Sequence, residues 1–282
     1  MKKGKLTLLT MALFSSVTLS SCYINLGFIQ IGEKPAESGT NTPTDSADVA
    51  AYYSSISDSL SGTELLNALN TLNNQKRVKT MGYDGTKYWG RYTEIDWTGK
   101  ENVQGKMFGF YDNALVKNTW DGQATWNREH VWPKSRGGDL VENDIHMARP
   151  ASVNINSERG NLYYGSGSSM YDPGQYVAAY RGVAARIIFY CAIAEKSLSL
   201  NDSPSGNYSM GKLSDLLKWN LQYAPSKSAD AELTLRIEEN RNNVIYSMEG
   251  LQGNRNPFVD HPEYACKIWG TTNSATRSAC GM

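Results

Sequence analysis

Glu129 and His130 stand side by side in TWNREHVWPKS, residues 125–135, and Asn156 follows in VNINSERGN. The chain has three histidines, His130, His146 and His261, and His130 directly follows Glu129. A glutamate offers a hard oxygen suited to magnesium or calcium. An unperturbed histidine, with a pKa near ~6.5, is partly neutral at pH 7 and takes a proton from water. Asn156 adds a neutral amide oxygen, and Arg128, Lys134, Arg136, Arg149 and Arg159 put five positive charges around these positions. The set suits phosphodiester hydrolysis: a base for water, a metal for the leaving oxygen and cations for the phosphate. By themselves the same residues also fit a structural salt bridge at Glu129–His130 and a turn cap at Asn156.

Chemistry at these positions needs elements to hold it. Adjacent residues on a strand point to opposite faces, so a strand over 124–132 would send Glu129 and His130 in different directions. A turn-rich loop through Ser135–Asp139 follows. DIHMARPASVNINSERGN is expected to carry a helix capped by Asp144 or Ser152. Leu65, Leu66, Leu69 and Leu72 share a helical face and predict an amphipathic helix over 63–75. Buried helices are expected over 177–198, 212–223 and roughly 229–248, whereas 81–125, rich in Gly, Tyr and Trp, reads as irregular strands and loops. The balance is α+β, mainly helical with a few strands in the middle.

Composition bounds the rest. A chain of 282 residues, 40% hydrophobic, suits one sizeable domain with appendages. Lys2, Lys3 and Lys5 open a first segment of 21 residues without an acid, and the remainder holds 25 basic and 28 acidic residues, a net charge of −3. A polyanion site must therefore be a local patch. LTLLTMALFSSVTLSS is too short and too polar for a membrane span of ~20 apolar residues, and it ends in Leu19-Ser20-Ser21-Cys22, which resembles a bacterial lipobox. The expected layout is a signal peptide over 1–21, a lipidated Cys22 with a flexible linker over 22–50, and one domain over 51–282. Export to a membrane-anchored location would permit a Cys266–Cys280 disulfide within an irregular C-terminal tail. Cys191, in an apolar helical run, is expected to be a buried thiol.

Four segments, NREHVWPKS, DIHMARPASVNINSERGN, YRGVAARIIFY and RIEENRNNVIYSMEGLQGNRNPFVDHPEY, resemble the bacterial endonuclease I family in order and spacing, over roughly residues 60–265. The resemblance implies a ββα-metal (His-Me finger) core embedded in a mainly helical domain. It implies that His130 is the general base, that Glu129 and the helix-borne Asn156 (or Asn154) hold Mg2+, with Mn2+ or Ca2+ as substitutes, and that the substrate is DNA, RNA or both. Met147 replaces a polar residue of the family pattern. An arginine that some relatives carry in an insert after the histidine motif has no counterpart.

Other matched residues keep two readings. Arg128, Arg149, Arg159 and Arg255 are candidate phosphate contacts, and Arg159 equally suits a bridge to a carboxylate. Arg241 is expected in a buried ion pair, and His146 is expected to orient the finger helix. Trp126 and Trp132 either stack bases or pack in the core, and Gln252–Phe258 reads as a structural closure. The functional expectation is a monomeric, magnesium-dependent, sequence-nonspecific endonuclease. A catalytically silent lipoprotein that binds nucleic acid is the rival, and a phosphoesterase for small substrates is a third option.

Overall fold

The computed structural model describes residues 46–87, 106–225 and 233–282. All lie in the second of two compact units, Thr40–Met282. The expected signal segment and Cys22 fall outside the described residues.

Helix α1 (Ser46–Tyr52) leads into α2 (Gly62–Lys76), whose Leu65, Leu69 and Leu72 are buried at three- and four-residue spacing while Leu66 is half-buried. The central helix is α4 (Tyr180–Ala194), buried on nearly every side as a sequence apolar but for Arg181 and Arg186 demands. It packs against α2, α5 (Leu213–Gln222) and α6 (Leu233–Ser247). A Cβ on Gly182 would lie 2.6 Å from Tyr223 O, so only glycine allows α4 this close to the end of α5. One charged pair crosses the core: Arg186 of α4 meets Glu238 of α6 at 2.5 Å.

Three short helices close the chain: α7 (Pro257–Asp260), α8 (Glu263–Trp269) and α9 (Ser274–Ala279). The C-terminal stretch expected to be irregular is therefore helical. Asn273 and Thr276 form a reciprocal capping box that starts α9, and Ala265, Cys266 and Ile268 bury the inner face of α8. A disulfide joins Cys266 to Cys280 with their Cα atoms 5.8 Å apart, and Cys191 is a buried free thiol.

The sheets are small. Strands β1 (Lys106–Phe108) and β2 (Leu115–Lys117) form an antiparallel hairpin. Its loop passes through Tyr111 at φ 83° and Asn113 at φ 56°, in the left-handed region. Strands β3 (Trp126–His130) and β4 (Ala148–Ser152) pair antiparallel, with Glu129 opposite Arg149 and His130 opposite Ala148. Ser199–Leu200 (β5) and Ser209–Met210 (β6) make a short parallel pair. Helix α3 (Val153–Arg159) follows β4 directly. Of the two starts expected for the helix in this run the later one is seen, with strand up to Ser152 and helix after it. Ser152 occupies the N-cap position without a capping side-chain bond, and Asp144 instead accepts from His146 N in the turn before β4. The product is a ββα unit.

Candidate active site

Alternation along β3 sorts the candidate residues by face. Asn127 and Glu129 face α3: Asn156 Nδ2 donates to Asn127 Oδ1 at 2.5 Å, and Arg159 Nε lies 3.2 Å from Glu129 Oε1. Asn156 and Arg159 are three residues apart and so share one side of α3. Arg128 and His130 lie on the other face of β3, beside Tyr83. The strand alternation puts His130 and Glu129 on opposite faces, with α3 packed on the Glu129 side through Asn156 and Arg159.

Glu129 is 2% exposed. Tyr111 Oη donates to its Oε1 at 2.7 Å, Tyr111 and Tyr164 share a 2.5 Å hydroxyl contact, and Arg159 Nε donates to Tyr164 Oη at 3.3 Å. Burial pushes the Glu129 carboxyl above the usual range, opposed by the Arg159 charge and the Tyr111 bond. The neighbouring His130 moves the other way. Burial first, then the positive charges of Arg128 and Lys134, bring it down to about 4, with Glu142 acting against them. The ring is therefore neutral at pH 7, the state in which it accepts a proton. Its Nε2 is buried and has no hydrogen-bond partner among the described residues, a vacancy of the kind that accompanies catalytic groups.

The guanidinium groups separate clearly. Arg128 is at the His130 face, with NH1 donating to Tyr83 O and, at 2.8 Å, to Thr86 Oγ1. Lys134 pairs with Glu142 at 2.7 Å. Arg136 lies over the Tyr163 ring at 3.5 Å. Arg149 is buried over Phe110, 4.8 Å from the ring centre. Arg159 is 1% exposed and spends its remaining donors on Val131 O and Gly160 O, so of its two readings the carboxylate bridge is the one seen. Arg255 is 2% exposed and bound to Asp260 and Asn243, partners quite different from the phosphate suggested by sequence.

Arg241 is buried, and its NH2 donates to the carbonyls of Ile145 and Ala148, pinning the start of β4. His146 is buried, with Nε2 3.2 Å from Asn254 O. Gln252 Oε1 accepts from Ile145 N, and Asn256 caps α7 through Phe258 N, so the Gln252–Phe258 segment closes the domain against the ββα unit. Trp126 and Trp132 are core residues, 2% and 0% exposed. The sequence reading passed over Tyr111, Tyr164 and Tyr83, because nothing local distinguishes them among 17 tyrosines.

The donor set can be tested against a metal. Among the described residues, no three His, Cys, Asp or Glu side chains converge on a point. One carboxylate plus one amide oxygen is nonetheless a fitting set for magnesium, which keeps several waters and shares its coordination with substrate phosphate. Asn156 suits the role because its Nδ2 is spent on Asn127, leaving Oδ1 as its acceptor.

Comparison with known proteins adds an independent finding. A family model described as Endonuclease I matches residues 61–176 and 167–263. The chain is 37% identical over 253 residues to an extracellular ribonuclease of Bacillus amyloliquefaciens, covering 80% of each chain. It is 36% identical over 208 residues to an extracellular ribonuclease of Bacillus subtilis (strain 168), covering 65% of this chain and 68% of that one.

Proposed function

This chain belongs to the endonuclease I family and is a nuclease, and from that premise we propose a magnesium-dependent endonuclease that attacks phosphodiesters with water. The observation that carries the proposal is the neutral His130, its Nε2 without a partner among the described residues, next to the buried Glu129 in a ββα unit. His130 accepts a proton from the attacking water at Nε2. Arg128, on the same face of β3, contacts the phosphate. Glu129, through Oε2, and Asn156, through Oδ1, are the residues that would hold the cation. A divalent cation, when bound, stabilises negative charge on the leaving 3′ oxygen. Arg159 is a positioning residue: its charge opposes the upward push of burial on the Glu129 carboxyl and fixes that side chain from α3.

A water nucleophile does not require the 2′-hydroxyl, so DNA and RNA are both substrates and the products carry 5′-phosphate and 3′-hydroxyl ends. Phosphate contacts carry no sequence information, so cleavage is nonspecific, and binding weakens as salt rises. End-labelling of products from both polymers tests the reading. A 2′,3′-cyclic phosphate, or cleavage of RNA that disappears on 2′-deoxy substitution at the cut site, would mean that the substrate's own hydroxyl attacks.

The same proposal includes export. The relatives named extracellular support passage out of the cell, and the signal-like residues 1–21 followed by Cys22 suggest a lipid anchor with a linker leading to the nuclease domain. Among the described residues no helix is long and apolar enough to cross a membrane; acyl chains on Cys22 would supply the attachment. Replacing Cys22 by Ser should release the protein from the membrane fraction; a wild-type protein found wholly soluble would refute the anchor.

A further inference from the structure

Tyr83 carries an unusual combination of exposure and restraint. The residue is 46% exposed, yet its ring meets three side chains of the site. The Arg128 guanidinium lies 3.2 Å from the ring centre and Lys134 Nζ lies 4.9 Å away. The His130 imidazole is stacked with it, at 6.1 Å between centroids and 23° between planes. Its backbone is tied down as well, because Tyr83 O accepts from Arg128 NH1 and, at 2.8 Å, from Thr86 Oγ1. Among the described residues the Tyr83 hydroxyl makes no hydrogen bond, whereas the buried Tyr111, Tyr164, Tyr180 and Tyr190 all use theirs.

A core tyrosine would be covered and would bond its hydroxyl. The two cations give a solvent-facing tyrosine a modest cation–π gain and still leave it 46% exposed. An exposed aromatic plane held beside His130 is instead suited to stacking a flat aromatic partner. In a nuclease the available partner is a nucleobase, since every base offers a π-face whatever its identity. Trp126 and Trp132 cannot serve because both are buried.

We propose that Tyr83 forms a base-stacking subsite that receives an unpaired nucleobase flanking the phosphodiester presented to His130. The inference rests on the nuclease reading above and extends it to substrate class: strands whose bases are free to unstack, single-stranded DNA or RNA, are preferred over duplex. Arg128 would then have two tasks, holding the tyrosine plane with its stem and guanidinium and meeting the adjacent phosphate. Because stacking is indifferent to base identity, the subsite adds affinity without adding sequence preference.

The test compares a single-stranded oligonucleotide with an abasic strand of equal length, using wild type and the Tyr83→Ala, Tyr83→Leu, Tyr83→Phe and Tyr83→Trp variants. Wild type should show a KM for the base-bearing strand roughly 10-fold below that for the abasic strand, the order of one base–aromatic stack. Tyr83→Ala and Tyr83→Leu should lose that preference, and Tyr83→Phe and Tyr83→Trp should keep it. In parallel, a strand containing 2-aminopurine is titrated with each protein in EDTA, where stacking quenches the fluorescence without cleavage. Quenching by wild type, Tyr83→Phe and Tyr83→Trp but not by Tyr83→Ala or Tyr83→Leu supports the subsite. Equal KM ratios in all five proteins, or equal quenching by wild type and Tyr83→Ala, would overturn it. A wild type that cleaves neither strand would refute the nuclease reading, while the fluorescence arm still decides the stacking.

Discussion

Tyr111 Oη and Arg159 Nε converge on the same oxygen of Glu129, Oε1, at 2.7 and 3.2 Å. Tyr111 reaches it from the loop between β1 and β2 with its backbone in the left-handed region, at φ 83°. Such a conformation is costly for a bulky residue and persists where surrounding contacts impose it. Arg159 reaches the same atom from α3, so two elements far apart in sequence set the angle of one carboxylate. Both contacts fall on Oε1, so Oε2 is the oxygen proposed for the cation.

Tyr111→Phe removes the hydroxyl while keeping the ring that packs against Phe110 and Tyr171. Hydrogen bonds behind a metal-holding side chain are typically worth about 10- to 100-fold in metal affinity. The variant should bind Mn2+ at least ~10-fold more weakly in an electron paramagnetic resonance titration without nucleic acid. Its magnesium half-saturation for cleavage should rise in parallel. Identical titrations for variant and wild type would detach Tyr111 from the cation site.

Arg159→Met should act on stability first. It strands a carboxylate at 2% exposure without its counter-charge, and breaking a buried pair from one side costs about 3–5 kcal/mol. Denaturant unfolding monitored by circular dichroism measures the loss. A variant with wild-type stability and a raised KM would restore the phosphate-contact role that the sequence suggested.

His130→Ala removes the proposed base without opening the core, since the residue is only partly buried. Cleavage should fall by about 10²- to 10⁴-fold, the usual contribution of a general base. Folding and Mn2+ binding should be retained. Activity within a few-fold of wild type, in protein shown to be folded by circular dichroism, would place the base elsewhere.

His146 supplies a pH prediction independent of catalysis. Burial, with smaller contributions from Arg241 and Arg255, brings it down to about 4. The unfolded chain, with a pKa near ~6.5, therefore binds a proton that the fold does not between these values. Its contribution to stability is complete above pH ~6.5 and declines as pH falls toward about 4, at up to ~1.4 kcal/mol per pH unit. Thermal unfolding of wild type between pH 7 and 4 should be steeper in pH than that of His146→Gln, whose side chain does not titrate. Parallel curves would show that His146 is not held neutral.

Much of this protein was legible along the chain, and for a local reason. The apolar spacing of Leu65, Leu69 and Leu72, and the nearly unbroken apolar run from Tyr180 to Ala194, mark helices because periodicity and burial coincide within one element. The Glu129–His130 pair and Asn156 fall in short contiguous motifs, so they stand out as candidates before any geometry. Less was visible at boundaries: Ala148–Ser152 is a strand because Glu129, Arg128 and Asn127 pair with it across the sheet, a partnership no window of sequence contains. The C-terminal helices escaped notice for a similar reason. They gain their stability from the disulfide and from packing Ala265 and Ile268 into the core.

Tertiary structure alone decided what each charge and ring was for. Arg128, Arg159 and Arg255 are equivalent on paper, yet one stands at the face of the base, one is locked behind Glu129, and one is clamped to Asp260. Likewise Trp126 and Trp132 sit in the core while Tyr83 lies open beside His130. The sequence determined which functional groups exist and how far apart they lie along the backbone. Whether a guanidinium meets solvent or a buried carboxylate depends on contacts between elements that are remote in sequence. Desolvation and pairing then set the ionisation and availability of each group, and both are properties of the packed chain.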